Sequence, residues 1–125
     1  MSADLNNKAM PREAIETAKM IVEAAADKQA SDIVLLDTRK VCSFTDYFVI
    51  LSGESERQIE AIRQAVDEAL KGEDVAIHHR EGTTSSGWLL IDAGDVIVHI
   101  FAPNEREYYH LDRLWENAPI VLKMI

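Results

Sequence analysis

Residues 88–101 read WLLIDAGDVIVHIF, which is two apolar runs on either side of a break that contains glycine. Apolar runs of strand length around a turn signal predict a β-hairpin. We expect strands Trp88–Asp92 and Asp95–Phe101, joined by Ala93 and Gly94, because glycine suits the positive φ that tight hairpin turns need.

This turn places Asp92 opposite Asp95 and Trp88 opposite His99, and it divides the side chains between two faces. One face is aliphatic and suits a core beneath helices: Leu89, Ile91, Val96, Val98 and Ile100. The other face is mixed: Trp88, Leu90, Asp92, Asp95, Ile97 and His99.

The mixed face has two interpretations. Facing carboxylates repel, so a basic protein partner would compensate Asp92 and Asp95, and a Trp beside aliphatic residues is typical of a binding hot spot. Alternatively, Asp92 and Asp95 are ordinary turn residues that bond their own backbone, and Trp88 packs under the last helix. The pattern alone favours neither interpretation.

The segments before residue 88 alternate between helical and extended patterns. We expect a helix that begins at Pro11, strands Ile33–Leu36, Tyr47–Leu51 and Val75–His79, and a helix from the N-cap Ser55, with Gln58 completing a capping box, to Gly72. After the hairpin, Tyr108, Leu111 and Trp115 recur at helical spacing from Asn104 until Pro119. The order α β β α β β β α predicts a single two-layer α/β domain, with helices on one face of a mixed five-stranded sheet.

Domain organisation follows from the same patterns. Residues 1–10 are polar and lack periodicity, so we expect a flexible N-terminus, followed by one domain at residues 11–118 and a C-terminal tail at residues 119–125. A length of 125 residues leaves no room for a second domain.

Composition narrows the partners and the compartment. The net charge of -9 argues against a broad grip on nucleic acid and favours a basic protein partner, although an acidic balance also serves solubility alone. Cys42 is the single cysteine, no signal peptide is evident, and no apolar run approaches membrane-spanning length. We therefore expect a cytoplasmic protein without a membrane partner.

Signals for chemistry are weak. His78 and His79 are adjacent in a predicted strand, so they point to opposite faces and cannot share one metal ion. The loop at residues 81–87 lacks the lysine of a phosphate-binding loop. We expect no catalytic residue, no metal and no cofactor. The alternative is a magnesium-dependent enzyme that uses Asp46, Asp92 or Asp95.

Two stretches resemble the signatures of the ribosomal silencing factors, also called the Iojap family. The first reads SFTDYFVILSG at residues 43–53 and continues with Ser55, Arg57 and Gln58. The second comprises Glu81, Gly82, residues 88–101, Arg106, Tyr109, Leu111, Leu114 and Trp115. The resemblance extends from about Ala14 to Trp115, and Ala93 departs from it because members usually have a larger residue there.

The resemblance implies a nucleotidyltransferase-like fold that lacks the catalytic site. On this resemblance, the enzyme alternative is a magnesium-dependent nucleotidyltransferase-like enzyme. It implies binding to the large ribosomal subunit through that subunit's protein number fourteen, a steric block to joining of the small subunit, and repression of translation when nutrients are scarce. It further implies self-association, so a homodimer is expected when the protein is free, and direct nucleic-acid binding is not expected. The expected partner-binding residues are Trp88, Leu90, Asp92, Asp95, Ile97 and His99, joined by Arg106 and Tyr109.

Overall fold

A six-stranded sheet with helices runs through residues 13–125, the part of the chain that the computed structural model describes. In chain order the elements are α1 (Ala14–Asp27), β1 (Ser31–Asp37), β2 (Tyr47–Ser52), α2 (Glu56–Gly72), β3 (His79–Glu81), β4 (Trp88–Asp92), β5 (Val96–Phe101), α3 (Pro103–Tyr109), α4 (Leu111–Leu114) and β6 (Ile120–Met124). The expected flexible start at residues 1–10 and the expected helix start at Pro11 lie outside the described residues.

The strands are arranged in the order β3-β4-β5-β2-β1-β6. The central pair β2 and β5 is parallel, and the other neighbours are antiparallel. The predicted α/β domain with a mixed sheet is therefore confirmed, but the sheet has six strands where the sequence predicted five.

The two long helices, α1 and α2, cover one face of the sheet. Their buried residues recur every three or four positions, as Ile59, Ile62, Val66 and Leu70 do in α2. They meet alternate residues of the strands, including the whole predicted aliphatic face of the hairpin. Within residues 13–125, no helix is both long and apolar enough to cross a bilayer.

The start of α2 is fixed by a cap that also reaches α1. Ser55 accepts a hydrogen bond from the Gln58 backbone N–H over 3.1 Å, as the sequence predicted. The Gln58 side chain does not return to Ser55; its oxygen accepts from the Glu54 N–H, and its NH₂ donates to the carbonyls of Lys28 and Gln29. The predicted capping box is therefore half correct, and Gln58 joins the end of α1 to the start of α2.

The hairpin turn lies one residue later than predicted. The Ala93 N–H donates to the Val96 carbonyl over 2.9 Å, so the connection consists of Gly94 and Asp95. Gly94 has φ 85°. Glycine occupies the first connecting position because a positive φ is required there, and the sequence alone could not decide whether that position was the first or the second.

The later turn changes the partners across the hairpin. Asp92 lies opposite Ile97, and Trp88 lies opposite Phe101. The predicted facing pair of Asp92 and Asp95 is therefore wrong, and so is the predicted partner of Trp88. Each pairing moves by two residues, so the side chains of β4 and β5 remain on their predicted faces, whereas Asp95 belongs to the turn.

The third strand begins later than predicted. β3 spans His79–Glu81 and pairs with β4, whereas Val75 and Ile77 lie outside any strand and pack partly buried against the helix-side core. Asp74 has φ 57° and turns the chain directly after α2, so the following residues approach the sheet without pairing along it. The predicted strand Val75–His79 is wrong in its bounds.

The predicted helix from Asn104 to Pro119 is divided in two. His110 has φ 50° and ψ 44°, a left-handed conformation that ends α3 before α4 begins. The spacing of apolar residues in the sequence does not show such a break. Tyr108 and Trp115 were therefore predicted in one helix, which the structure divides at His110. The short segments pack on the sheet face opposite to α1 and α2, through Leu111 and Ala118.

The predicted C-terminal tail contains a strand. β6 pairs antiparallel with β1, with Leu122 opposite Leu35, and a bulge interrupts the register between Leu35 and Leu36. Four of its five side chains are exposed, so the alternating pattern by which a half-buried strand is recognised is nearly absent.

We expect Leu122→Ala to lower the free energy of unfolding by about 1–2 kcal/mol, less than a fully buried leucine would, because Leu122 is half-buried against the helix-side core. Urea unfolding followed by circular dichroism measures this. The control is Lys123→Ala, an exposed neighbour that should change stability by less than about 0.5 kcal/mol. Equal stability of the two variants would mean that the Leu122 side chain does not stabilise the fold.

Candidate protein-binding site

The face of the sheet away from α1 and α2 carries an aromatic cluster, defined as Phe48, Trp88, His99, Phe101 and Tyr109. Neighbouring strands β4, β5 and β2 supply the first four, and α3 supplies Tyr109. Residues that pair across strands point to the same face, so alternate positions of the three strands bring their rings together. Trp115 meets Phe48 edge-to-face at 4.9 Å between ring centroids.

Trp88 is half-buried within this cluster. Its ring stacks on Phe101 at 5.0 Å between centroids and lies 4.4 Å from the Tyr109 ring. The sequence left open whether Trp88 was exposed or packed under the C-terminal helical segment. Tyr109 is the last residue of α3, so most of the Trp88 ring packs under the C-terminal helical segment. Only the part of the ring that stays exposed can contact a partner.

His99 is buried beneath Trp88, with 4% of its surface exposed. The Trp88 Nε1–H donates to His99 Nδ1 over 3.2 Å, so the proton of the neutral imidazole is assigned to Nε2. That Nε2 has no hydrogen-bond partner among the described residues. Burial lowers the pKa of His99 to about 4, so the ring is neutral at pH 7.

Asp92 holds the hairpin turn. Its Oδ1 accepts a hydrogen bond from the Gly94 N–H over 2.8 Å, which is the backbone role that the sequence offered as an alternative. Asp95 is exposed, and its carbonyl accepts from the N–H groups of Asp46 and Tyr47. Asp46 is therefore joined to the turn through its backbone.

Glu81 adds a carboxylate that the sequence analysis did not select. It lies opposite Leu90 across β3 and β4, and the register also places His79 opposite Asp92, so all four side chains share the face of Trp88. Glu81 Oε2 lies 2.7 Å from His79 Nε2, and both side chains are exposed. In the sequence it was named only as part of the second signature and as the first residue of the loop at residues 81–87.

The eight predicted partner-binding residues divide by exposure. Trp88, Leu90 and Asp92 are half-buried, and Asp95 and Tyr109 are exposed. Ile97 and His99 are buried and form the floor of the surface, and Arg106 is half-buried and bonded to Ser52.

We define the β4 patch as Glu81, Trp88, Leu90, Asp92 and Tyr109. Phe44 and Tyr108, 64% and 79% exposed, are further aromatic side chains near the cluster that were not predicted as site residues.

Features of a catalytic site are few. The described residues include no group of three or more His, Cys, Asp or Glu side chains placed to hold a metal ion. A cleft of about 380 Å³ lies between the starts of α2 and α3. Its described lining has three carboxylates, Glu54, Glu56 and Glu105, and no Lys or Arg, so it does not suit a triphosphate.

Comparison with known proteins identifies the family. The sequence profile described as "Ribosomal silencing factor during starvation" matches residues 11–124. The chain belongs to the ribosomal silencing factor family. The match includes β6, so the segment predicted as a tail lies within the region common to the ribosomal silencing factors.

Individual relatives agree with this family. The chain is 38% identical to the ribosomal silencing factor RsfS of Halalkalibacterium halodurans over 85% of this chain and 91% of the relative. It is 37% identical to RsfS of Bacillus subtilis over 82% of this chain and 86% of the relative. A crystal structure of a Chromobacterium violaceum protein superposes with a TM-score of 0.81 at 39% identity, covering 84% of this chain and 88% of that one. The names of these two relatives describe a regulatory role and not a catalysed reaction.

Proposed function

We propose that the protein represses translation when nutrients are scarce by binding the large ribosomal subunit and blocking its association with the small subunit. The contact on the large subunit is its protein number fourteen. Membership of the ribosomal silencing factor family supports this proposal, since the family's description names both the ribosome and starvation. The blocking step is steric, and we assign no catalytic residue, cofactor or metal to it.

The β4 patch is the observation on which the proposed contact rests. Half-buried Trp88 and Leu90 offer apolar surface, and Glu81 and Asp92 place carboxylates beside it. Apolar and aromatic centres with charged edges are typical of protein interfaces. A ribosomal protein surrounded by RNA tends to be basic, so its charge complements this patch. Asp95 and Tyr109 contribute at the periphery, and Ile97 and His99 support the patch from below.

Other partners and the compartment follow from charge and family. The net charge of -9 disfavours direct nucleic-acid binding, and no membrane partner is proposed. We propose that the free protein forms a homodimer and that it acts in the cytoplasm. The domain is proposed to begin near residue 11.

Two measurements test this function. Purified large subunits are sedimented with the protein, and the joining of large and small subunits is followed on sucrose gradients. The proposal requires saturable co-sedimentation with large subunits and a dose-dependent loss of joined ribosomes. Absence of binding at micromolar concentrations of both components would contradict it.

Reversing one charge in the β4 patch and one in the adjoining hairpin turn should weaken binding to large subunits. We expect the double variant Glu81→Lys with Asp95→Lys to lose at least about tenfold in affinity, since electrostatic complementarity with a basic partner becomes repulsion. Both side chains are exposed, so the fold should persist. The matched control, Glu23→Lys with Glu68→Lys, makes the same charge change on the exposed side of the helices. Equal affinity of the two double variants would mean that Glu81 and Asp95 do not contribute to the proposed contact.

A further inference from the structure

Helix α3 carries two exposed aromatic residues but has little apolar packing of its own. None of its seven residues, all within the described part of the chain, is buried. Tyr108 and Tyr109 are 79% and 44% exposed, and His110 ends the helix in a left-handed conformation. Burial of an apolar face usually sets the orientation of a surface helix. The orientation of α3 must therefore depend strongly on specific contacts.

Arg106 makes one such contact with the sheet. Its Nη1 donates to Ser52 Oγ over 2.9 Å, joining the middle of α3 to the last residue of β2. Ser52 is buried, with 4% of its surface exposed, so the acceptor is held in the sheet. Arg106 and Tyr109 are three residues apart and lie on the same side of the helix. The contact at Arg106 therefore bears directly on where the Tyr109 ring lies.

A second contact restrains the start of α3. The Ala102 N–H donates to the Gly87 carbonyl over 2.9 Å. Gly87 has φ 81°, a left-handed conformation that favours glycine. The start of α3 is thus placed by the loop before β4, and its middle by β2.

We infer that Arg106 is a positioning residue for the binding surface, and that its contact with Ser52 holds Tyr109 on the Trp88 ring and orients Tyr108 beside it. This inference rests on the proposed function, because the surface being positioned is the β4 patch that meets a basic protein. A surface that is already ordered before binding loses less conformational entropy on binding. The planar guanidinium suits this role, since its donors are held in a rigid fork.

The test combines three variants with a control. Arg106→Ala removes the guanidinium, Arg106→Lys keeps the charge and a donor, and Ser52→Ala removes only the acceptor. Arg57→Ala is the control, because Arg57 is exposed on α2. Circular dichroism establishes that each variant is folded, and co-sedimentation gives its affinity for large subunits.

The local readout is Trp88. In a Trp115→Phe background it is the only tryptophan, so its emission and its quenching by acrylamide report whether Tyr109 covers the ring. In the unmodified chain, its indole N–H resonance reports the same environment through the bond to His99. A purely global effect on stability would leave both signals unchanged in the folded protein.

We expect Arg106→Ala and Ser52→Ala to shift Trp88 emission to the red, raise its quenching, and weaken subunit binding by about five- to tenfold, with partial rescue in Arg106→Lys. Unchanged Trp88 signals in both alanine variants would overturn the positioning role, even if binding fell. Changed signals with wild-type affinity would overturn the link to docking. If the unmodified protein failed to bind large subunits, the proposed function would be wrong, while the Trp88 signals would still decide the role of Arg106.

Discussion

Trp88→Ala is expected to lower the free energy of unfolding by about 3 kcal/mol, within the range for large aromatic truncations. The ring stacks on Phe101, contacts Tyr109 and donates to His99, so its removal leaves a void between β4 and α3. It also leaves the buried Nδ1 of His99 without its donor, which adds a desolvation cost. For a domain of this size, the melting temperature should fall by roughly 10 °C.

The control for this prediction is Trp88→Phe. Phenylalanine retains the stacking on Phe101 and loses mainly the hydrogen bond to His99, so we expect a loss of about 1 kcal/mol. Thermal melting and urea unfolding of both variants give the comparison. An alanine variant as stable as the unmodified protein would show that the Trp88 ring does not stabilise the fold. Affinities must be measured at temperatures where each variant remains folded.

Acidification should destabilise the protein through His99. The folded-state pKa is about 4, against an ordinary value of 6.5, so the unfolded state binds the proton first as pH falls. The contribution of His99 to stability is therefore complete above pH 6.5 and is lost progressively between pH 6.5 and about 4. The shift corresponds to about 3 kcal/mol over that interval.

The measurement is urea unfolding at steps between pH 7.5 and 5, where most carboxylates remain ionised. His99→Gln, which can still accept from the Trp88 N–H, should show a flatter dependence than the unmodified protein. His110→Gln, an exposed histidine, is the matched control and should keep the original slope. Identical slopes for the two variants would mean that His99 does not titrate differently in the folded and unfolded states.

The sequence predicted the faces of the hairpin better than its pairs. Side chains alternate with a period of two, so the assignment of Leu89 and Trp88 to opposite faces survives a turn displaced by one residue. The pairs depend on the turn itself, and the residues Ala93, Gly94 and Asp95 allow glycine at either connecting position. Asp92 and Asp95 were placed opposite each other for that reason alone.

The errors near the C-terminus have a different physical origin. β6 is an edge strand with mostly exposed side chains, and its formation depends on pairing with β1, which local periodicity does not report. The break at His110 is a change in one backbone conformation, and histidine is no strong signal for it.

At the candidate site, the sequence predicted which strand residues share one face of the sheet, but it could not rank them by exposure. His99 and Ile97 alternate with core residues in the same way as Trp88 does, yet α3 and the neighbouring strands bury them. Arg106 was predicted as a contact residue because it follows the hairpin along the chain and belongs to the second signature. Its bond to Ser52 depends on two segments that are distant in the chain.

The pairing of β1 with β6 also has a consequence for synthesis of the chain. β1 is made early and receives β2 as its inner neighbour soon afterwards, but its outer neighbour consists of residues 120–124. At translation rates of about 5–20 residues per second, β6 is polymerised on the order of ten seconds after β1. During that interval the nascent domain has an open strand edge at β1, and the sheet is completed only when its last strand has emerged from the exit tunnel.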